Sequence, residues 1–522
     1  MKKLTLLPIL LVNLLCAQNN VKYSFGQEFE TVRKHADQGF YQLDKNVYAE
    51  VYYRHEEEFI FQIYNEKFDN IKKQETVPIK MDEGYSNEGL FCIKNDFFFL
   101  YSTWHRSEEK EELWALPLDK KTFKLGTKAI KLSESSKLVS YMGYGKYSFY
   151  YSNDSTMMLM TCRLKPKERR DRLNKDVIGF NLYDSQMKTL YSHQIEMPYT
   201  EADMDILDKE IDSKGNIYLL AKVKLNNSID GETKENKGLY RYELMRVNQK
   251  EHTMQALKIG LEGKFVNDVI LSEDLKHDII ITGYYSNRKG GGADGAYVIR
   301  MEYDANNAVK KLNTTYHEFP KEVLQAYESA RTKRKMEEKE KDDNLEASNL
   351  ELRRVVFGVD GSLTIIGEEH YVVEHTHYNG KTTTTTYTYY YNDILALKVN
   401  KEGKTEWCHK IPKYQKGGST RDLGFHYHNY KGDSYFFFLD NAKNANISLS
   451  ETPAMHAAGR GGYLIAVKID AAGKISKQPI FDIKEEDVRL APTSFESVGE
   501  NLIVDRLKED RKTSKVFKLE IK

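Results

Sequence analysis

The sequence predicts an all-β fold, a β-propeller of eight four-stranded blades, from three observations. A strand–turn–strand unit recurs along the whole chain, a second hairpin precedes several of its copies, and the final copy stops one strand short. The recurring unit is an apolar strand ending in Asp or Asn, a few polar residues and a further strand. Its turn residues are Asn65, Asp119, Asp184, Asn248, Asp304, Asn400 and Asp470. Asp and Asn tolerate turn backbone and bond their own main chain two residues on. Gly403 and Gly473 complete clear hairpin turns in two copies. The upstream hairpins turn at Asp212–Ile217, Asp360–Leu363, Tyr430–Tyr435 and Val498–Leu502. Four antiparallel strands, here called a to d, in each ~50–60-residue unit make a propeller blade. Seven blades is the alternative, if the copy Leu113–Asp119, which contains Pro117, is something else.

The last copy, Lys515–Lys522, ends where its turn and fourth strand should begin. A three-stranded blade leaves an open edge that invites aggregation. Near the start, Val21–Val32 reads as a strand-like run with no blade of its own. Residues 21–32 are therefore expected to supply the missing strand and close the ring.

Composition agrees. The 522 residues are 40% hydrophobic and 30% charged, a globular balance, and 36 Tyr and 23 Phe beside only 10 Pro favour strands. Lys+Arg and Asp+Glu are both 78, which argues against a nucleic-acid partner. Residues 1–17 read as a signal peptide: Lys2 and Lys3 open it, Leu4–Leu15 is mostly apolar, and Ala17 offers a cleavage site. Pro8 and Asn13 break a stretch already too short for a membrane span, and no later segment reaches the ~20 apolar residues a spanning helix needs. Cys16 raises a lipoprotein reading, which the bulk of Leu15 disfavours. The expectation is an exported protein, periplasmic or extracellular with the periplasm favoured, in which residues 18–522 form one propeller domain and act as a monomer. Cys92, Cys162 and Cys408 are widely spaced without a CxxC or zinc pattern; Cys92 and Cys162 sit inside strand-like runs and are expected to be buried thiols, with one disulfide left open.

Two segments depart from the repeat. Lys321–Asn349 has no Gly or Pro and places Val323, Ala326, Tyr327 and Ala330 at helical spacing before a charged run. It reads as a helical insertion, a solvated helix or linker with partner docking as the alternative. The second is the hairpin 369–391, whose flanks meet at Asn379-Gly380 and whose length carries its tip beyond a normal blade. Its candidate binding residues are Tyr378, Tyr387, Tyr389, Tyr390 and Tyr391, because tyrosine rings give rigid contact area with a polar tip. With the other long segments, Lys165–Lys175, Asn226–Gly238, Asn287–Gly295 and Asn441–Gly462, it lies between strands b and c. Loops of that kind emerge on one face of a propeller, and loops on a rigid scaffold are where binding resides.

Catalytic and metal signals are weak. His375 and His377, and again His426 and His428, are pairs at i, i+2 that share a strand face and form a weak metal candidate. They come from a hairpin tip and an inner strand, so ordinary hydrogen-bonded histidines are the expected reading. Asp203, Asp205 and Asp208 lack the Gly and Glu of a calcium loop, Gly290–Gly292 reads as a flexible tip, and no P-loop, G-x-S-x-G or H-E-x-x-H occurs. No cofactor is expected. Carboxylate pairs for glycan cleavage would come from different blades and leave no local motif.

Glu369-HYVVEHTHYNGKTTTTTYTYYYNDILALKVNKEGKTEW-Cys408 resembles a group of uncharacterised exported bacterial proteins with a Tyr/Thr-rich hairpin. The hairpin leads into a strand pair marked here by Asp393, Lys398, Asn400, Gly403 and Lys404. The resemblance covers roughly these forty residues. It implies a secreted, propeller-like protein of the bacterial envelope and brings no catalytic residues. The expected function is non-enzymatic: a loop-rich face presented to a protein or glycan partner. The alternative is a glycan hydrolase or lyase with acidic residues at the central channel.

Overall fold

Burial on both faces explains why the middle strands read as continuous apolar runs. Strands b and c sit between neighbouring sheets, so Glu58–Tyr64 is buried along nearly its whole length, whereas the outer strand Ile71–Pro78 keeps several residues in solvent. The computed structural model describes residues 20–522 apart from 33–35, 55–57, 66, 82–83, 137, 140–144, 167–170, 225–239, 262, 304–308, 342–344, 449–450, 460 and 509–511. Residues 1–17, expected to be a signal peptide, and with them Cys16, lie outside these residues, as do the whole of the Asn226–Gly238 loop and the expected turn residue Asp304.

The described strands form eight sheets: residues 36–78, 85–136, 147–200, 204–259, 265–318, 350–411, 426–482, and 496–521 together with 21–30. They are called blades 1 to 8 here. In blade 8, Val21–Phe25 pairs antiparallel with Thr513–Ile521, with Val21 opposite Ile521 and Phe25 opposite Phe517. Phe29–Glu30 continues the same ladder opposite Ser514 and Thr513. The beginning of the described chain is thus the outer strand of the last blade, as expected from the open edge.

Cores fill every gap between neighbouring sheets. Phe61 of blade 1 shares one with Phe97 of blade 2, and Phe437 of blade 7 shares one with Phe517 of blade 8. Tyr64 and Val504 share the core that joins blade 8 back to blade 1. The ring is closed, and the chain is a β-propeller.

Pro117 lies inside strand c of blade 2, opposite Phe98. Its carbonyl accepts from Gly126 on the outer side, so its missing N–H also faces the outer strand, which breaks there between Lys124–Leu125 and Ile130–Ser136.

Inner strands carry a recurring β-bulge at Asp37/Gly39, Asn87/Gly89, Ile206/Asp208, Val266/Asp268 and Leu352/Arg354. Carboxylates at or near this level stitch a blade to the next. Asp208 accepts from the Leu271 N–H (3.3 Å), Asp268 from the Leu352 N–H (2.7 Å), and Glu496 from the Phe40 N–H (3.2 Å).

The a–b and c–d turns are two to six residues long. The extended connections fall between b and c, or between d and the next a. The insertion forms α1 (Lys321–Gln325) and α2 (Ala330–Lys341) between blades 5 and 6. Leu324 and Tyr327 are buried, and Lys410 of blade 6 donates to the Leu324 carbonyl and to Glu328. The Gly290–Gly292 segment differs from the flexible tip expected of it. A Cβ on Gly292 would come within 2.5 Å of the Ala347 carbonyl, and Arg288 pairs with Glu346 at 2.6 Å, so the segment is docked against the end of the insertion. Cys92, Cys162 and Cys408 are free thiols, the last two buried.

Candidate functional site

The arm of blade 6 is built by strands Leu363–Tyr378 and Thr383–Val399, joined at Asn379, whose side chain accepts from the N–H groups of Lys381 and Thr382. The register runs from Leu363 opposite Val399 to Tyr378 opposite Thr383. Residues 374–387 are all exposed. Tyr378 at 67% and Tyr387 at 48% exposure are therefore available on the projecting part.

Tyr389, Tyr390 and Tyr391 lie at the root and are half-buried. An additional strand, Gln415–Gly417, pairs with these three residues and is itself paired in parallel with His456–Ala457. Tyr390 stacks on Tyr371 at 4.6 Å, and Tyr391 meets His370 at 4.4 Å. The Lys416 ammonium stands 5.4 Å from the Tyr390 ring centroid. The root is tied down by Lys413, which is fully buried. Its Nζ donates to the Tyr391 carbonyl (2.8 Å) and to Gln415 (3.1 Å), and sits 2.8 Å from the buried Glu368 carboxylate.

The two histidine pairs have separate partners. His375 on the arm hydrogen-bonds Thr388 at 3.1 Å, and His377 is exposed. His426 and His428 both reach Ser497 of blade 8, at 3.2 and 2.8 Å, and His428 also reaches the Glu500 carbonyl. Burial pushes His426 down to about 3, so it is neutral at physiological pH. Among the described residues no group of three or more His, Cys, Asp and Glu is placed to hold a metal.

The strand Gln415–Gly417 leads directly into a cleft of about 1460 Å³ on the same face, bordered by blades 7, 8 and 1. Thr420–Asp422, His456, Gly459 and Gly461 form the wall shared with the arm root; residues 483–496 form the opposite wall, and Glu50, Asp505 and Arg506 lie deeper. Arg506 pairs with Glu50 at 3.1 Å and donates to the Tyr52 hydroxyl at 2.8 Å, while Tyr64 donates to the other Glu50 oxygen at 2.7 Å. This satisfied network between blades 8 and 1 fixes the cleft floor. Nothing local in the sequence marks the cleft, because its residues come from separate stretches scattered between Phe40 and Lys508.

Asp505 accepts from Ser494 at 3.0 Å, and burial pushes its carboxyl up to about 7 against the opposing pull of that bond. Burial likewise raises Glu369 to about 7 and, with Asp208, Glu273 and Asp212 nearby, Glu210 to about 8. A carboxyl whose folded value lies above its unfolded one makes the fold take up protons, so its contribution to stability falls as pH rises from about 4 through that value. Asp505→Asn is expected to remove this penalty. Its melting temperature should gain on wild type between pH 5 and pH 8, by the equivalent of about 1–4 kcal/mol. Parallel melting curves across that range would show Asp505 to be ionised throughout.

Neither a protein family nor a curated protein matches the sequence. Solved structures do. Prolyl oligopeptidase B from Galerina marginata, bound to a 35mer hydrolysis and macrocyclization substrate, aligns with a TM-score of 0.39 at 9% identity, over 94% of this chain and 55% of that one. This chain therefore spans about half the length of that protein. The β-propeller domain of the Trilobed protease from Pyrococcus furiosus aligns with a TM-score of 0.31 at 10% identity, over 87% of this chain and 97% of that one. Acylaminoacyl peptidase from Pyrococcus horikoshii gives 0.32 at 9% identity, over 94% and 58%. Among the described residues, no helix is long and apolar enough to cross a membrane.

Proposed function

We propose that this chain is an exported, non-enzymatic propeller that binds a protein or glycan partner at the bacterial envelope through its loop-rich face. One observation carries the reading: the arm and the cleft are a continuous surface, because Gln415–Gly417 pairs with the arm root and runs on into the cleft wall. A rigid root with an exposed Tyr/Thr ribbon beside a large polar cleft suits contact with an extended partner.

The test replaces residues 374–387 by a short Asn-Gly turn and leaves Tyr389–Tyr391 in their ladder. The variant should melt within about 2 °C of wild type, since the removed residues are exposed. Its affinity for a partner cross-linked through a photoreactive residue at position 378 should fall at least about tenfold. Unchanged affinity would overturn the role of the arm. The alternative, a glycan hydrolase or lyase, has one feature in its favour: the raised Asp505 carboxyl in the cleft beside Glu496. Release of new reducing ends from a bound glycan in the same experiment would decide for it.

A further inference from the structure

The arm has two edges, and neither is covered along its projecting part. Leu350–Phe357 pairs with the first strand of the hairpin only as far as Glu369, and Gln415–Gly417 pairs with the second only over Tyr389–Tyr391. Val372–Tyr378 on one side and Thr383–Thr388 on the other therefore face no strand among the described residues. An uncovered edge is a row of main-chain donors and acceptors that can take a further strand. The usual guards are missing from the second edge. Thr383–Thr388 holds no Pro, Gly or charged residue, and no bulge interrupts its pairing with Val373–Tyr378.

Register identifies the free groups on that edge. Opposed residues of an antiparallel ladder point their main-chain groups alternately toward and away from each other. The His370 N–H donates away from the hairpin to the Asn349 carbonyl, and His370 stands opposite Tyr391. At the tip, the Asn379 N–H donates inward to the Thr382 carbonyl. Both ends place the outward-facing groups of the second edge on Thr383, Thr385 and Tyr387.

Two copies of this edge match about a two-fold axis. With Thr385 opposite the partner's Thr385, Thr383 meets the partner's Tyr387 and Thr384 meets the partner's Thr386. All three outward-facing residues are then paired, the side-chain pairs are threonine with threonine or tyrosine, and no charge loses its water. The partner's tip arrives beside Gly418, which is exposed and where a Cβ would meet nothing within 4 Å. The first edge lacks this match. Its corresponding register, centred on His375, sets two histidines against each other, and a shift of one residue opposes Glu374 to itself or His375 to the partner's His377.

We propose that the arm pairs edge to edge with the arm of a second copy of this chain across Thr383–Tyr387, forming a closed two-fold dimer. This rests on the arm being the contact element of the loop face, names its partner, and replaces the monomer expected from the sequence. Five residues of ladder bury less than the ~1,600 Å² of a standard interface, so the dimer is weak and concentration-dependent.

The test adds single cysteines to the full chain. Opposed residues in a hydrogen-bonded pair have Cα atoms about 5.5 Å apart, within disulfide reach, so Thr385→Cys should cross-link two chains under mild oxidation. The two copies of residue 383 stand more than about 13 Å apart in this register, so Thr383→Cys should cross-link at least about fivefold less. Thr376→Cys, on the first edge, should behave like Thr383→Cys, and wild type gives the background from Cys92, Cys162 and Cys408. Thr385→Pro removes an outward N–H and leaves the internal ladder whole, so it should weaken dimerisation in sedimentation equilibrium at least about tenfold. Thr376→Pro does the same to the first edge and should leave the dimer intact, and unchanged melting temperatures verify that both variants fold. Equal cross-linking at 385, 383 and 376, equal loss with both prolines, or a chain monomeric up to about 0.5 mM would each overturn the proposal. If the chain stays monomeric while arm-dependent capture persists, the loop face remains the binding face and only the occupant is wrong. If both fail, the functional reading falls with it.

Discussion

Removing residues 20–32 is expected to lower the melting temperature by about 5–10 °C and to convert the chain into a self-associating species. Val21–Phe25 contributes a five-residue ladder to Thr513–Ile521, and Val21 is buried in the core between blades 7 and 8. Tyr23 stacks on Phe481 at 4.3 Å, and its hydroxyl donates to Glu486 at 2.9 Å. Gln478 of blade 7 both donates to the Val21 carbonyl and accepts from its N–H. Five residues of ladder at about 1 kcal/mol each, with the burial of one aliphatic and two aromatic side chains at about 1.5–3 kcal/mol each, sum to roughly 10–14 kcal/mol, and ordering five backbone residues at about 1 kcal/mol each leaves a net of roughly 5–9 kcal/mol. The deletion also bares the edge of Thr513–Ile521, so association should appear by size-exclusion chromatography before any loss of strand content by circular dichroism. A truncated chain that stays monodisperse and melts with wild type would show that blade 8 stands on three strands.

Lys413→Met is expected to cost about 3–5 kcal/mol and to loosen the arm, because it leaves Glu368 charged, 2% exposed and without its closest cation. Arg353 still reaches Glu368 at 3.0 Å, so the loss is not that of an isolated charge. Burial pulls the Lys413 ammonium below its ordinary range while Glu368 opposes that shift, as expected for a pair held in a dry interior. The double variant Lys413→Met with Glu368→Gln should recover a large part of the loss. Denaturant unfolding gives both values, and hydrogen exchange at Tyr389–Tyr391 reports the arm root. If the single variant costs less than about 1 kcal/mol, the pair does not anchor the arm.

Much of the scaffold was legible. The strand-to-turn boundaries at Asn65, Asp184, Asn400 and Asp470 coincide with the ends of strands c, since a turn needs a residue that caps its own backbone and the preceding strand needs apolar faces on both sides. The closing strand was legible from a missing partner rather than from its own composition. The functional surface was less so. Tyr389, Tyr390 and Tyr391 look as free as Tyr387 in the sequence, and only the three-residue strand Gln415–Gly417, too short to leave a periodic signal, makes them the root of the arm. Gly290–Gly292 reads as a loose tip because the residues that need its lack of side chains, Glu346 and Ala347, lie beyond an intervening strand pair and two helices. The cleft left no motif, since its lining residues converge only once blades 7, 8 and 1 have packed.

The closing ladder also sets an order of events during synthesis. Thr31 meets Ser514 across a sequence separation of 483 residues, so the first described strand leaves the ribosome long before its partner exists. Every other blade pairs strands that lie close together in sequence and can condense as they emerge. The nascent protein must therefore carry a growing arc of finished sheets with one unmatched strand trailing at its start. That interval is when a holding chaperone would matter most to this molecule.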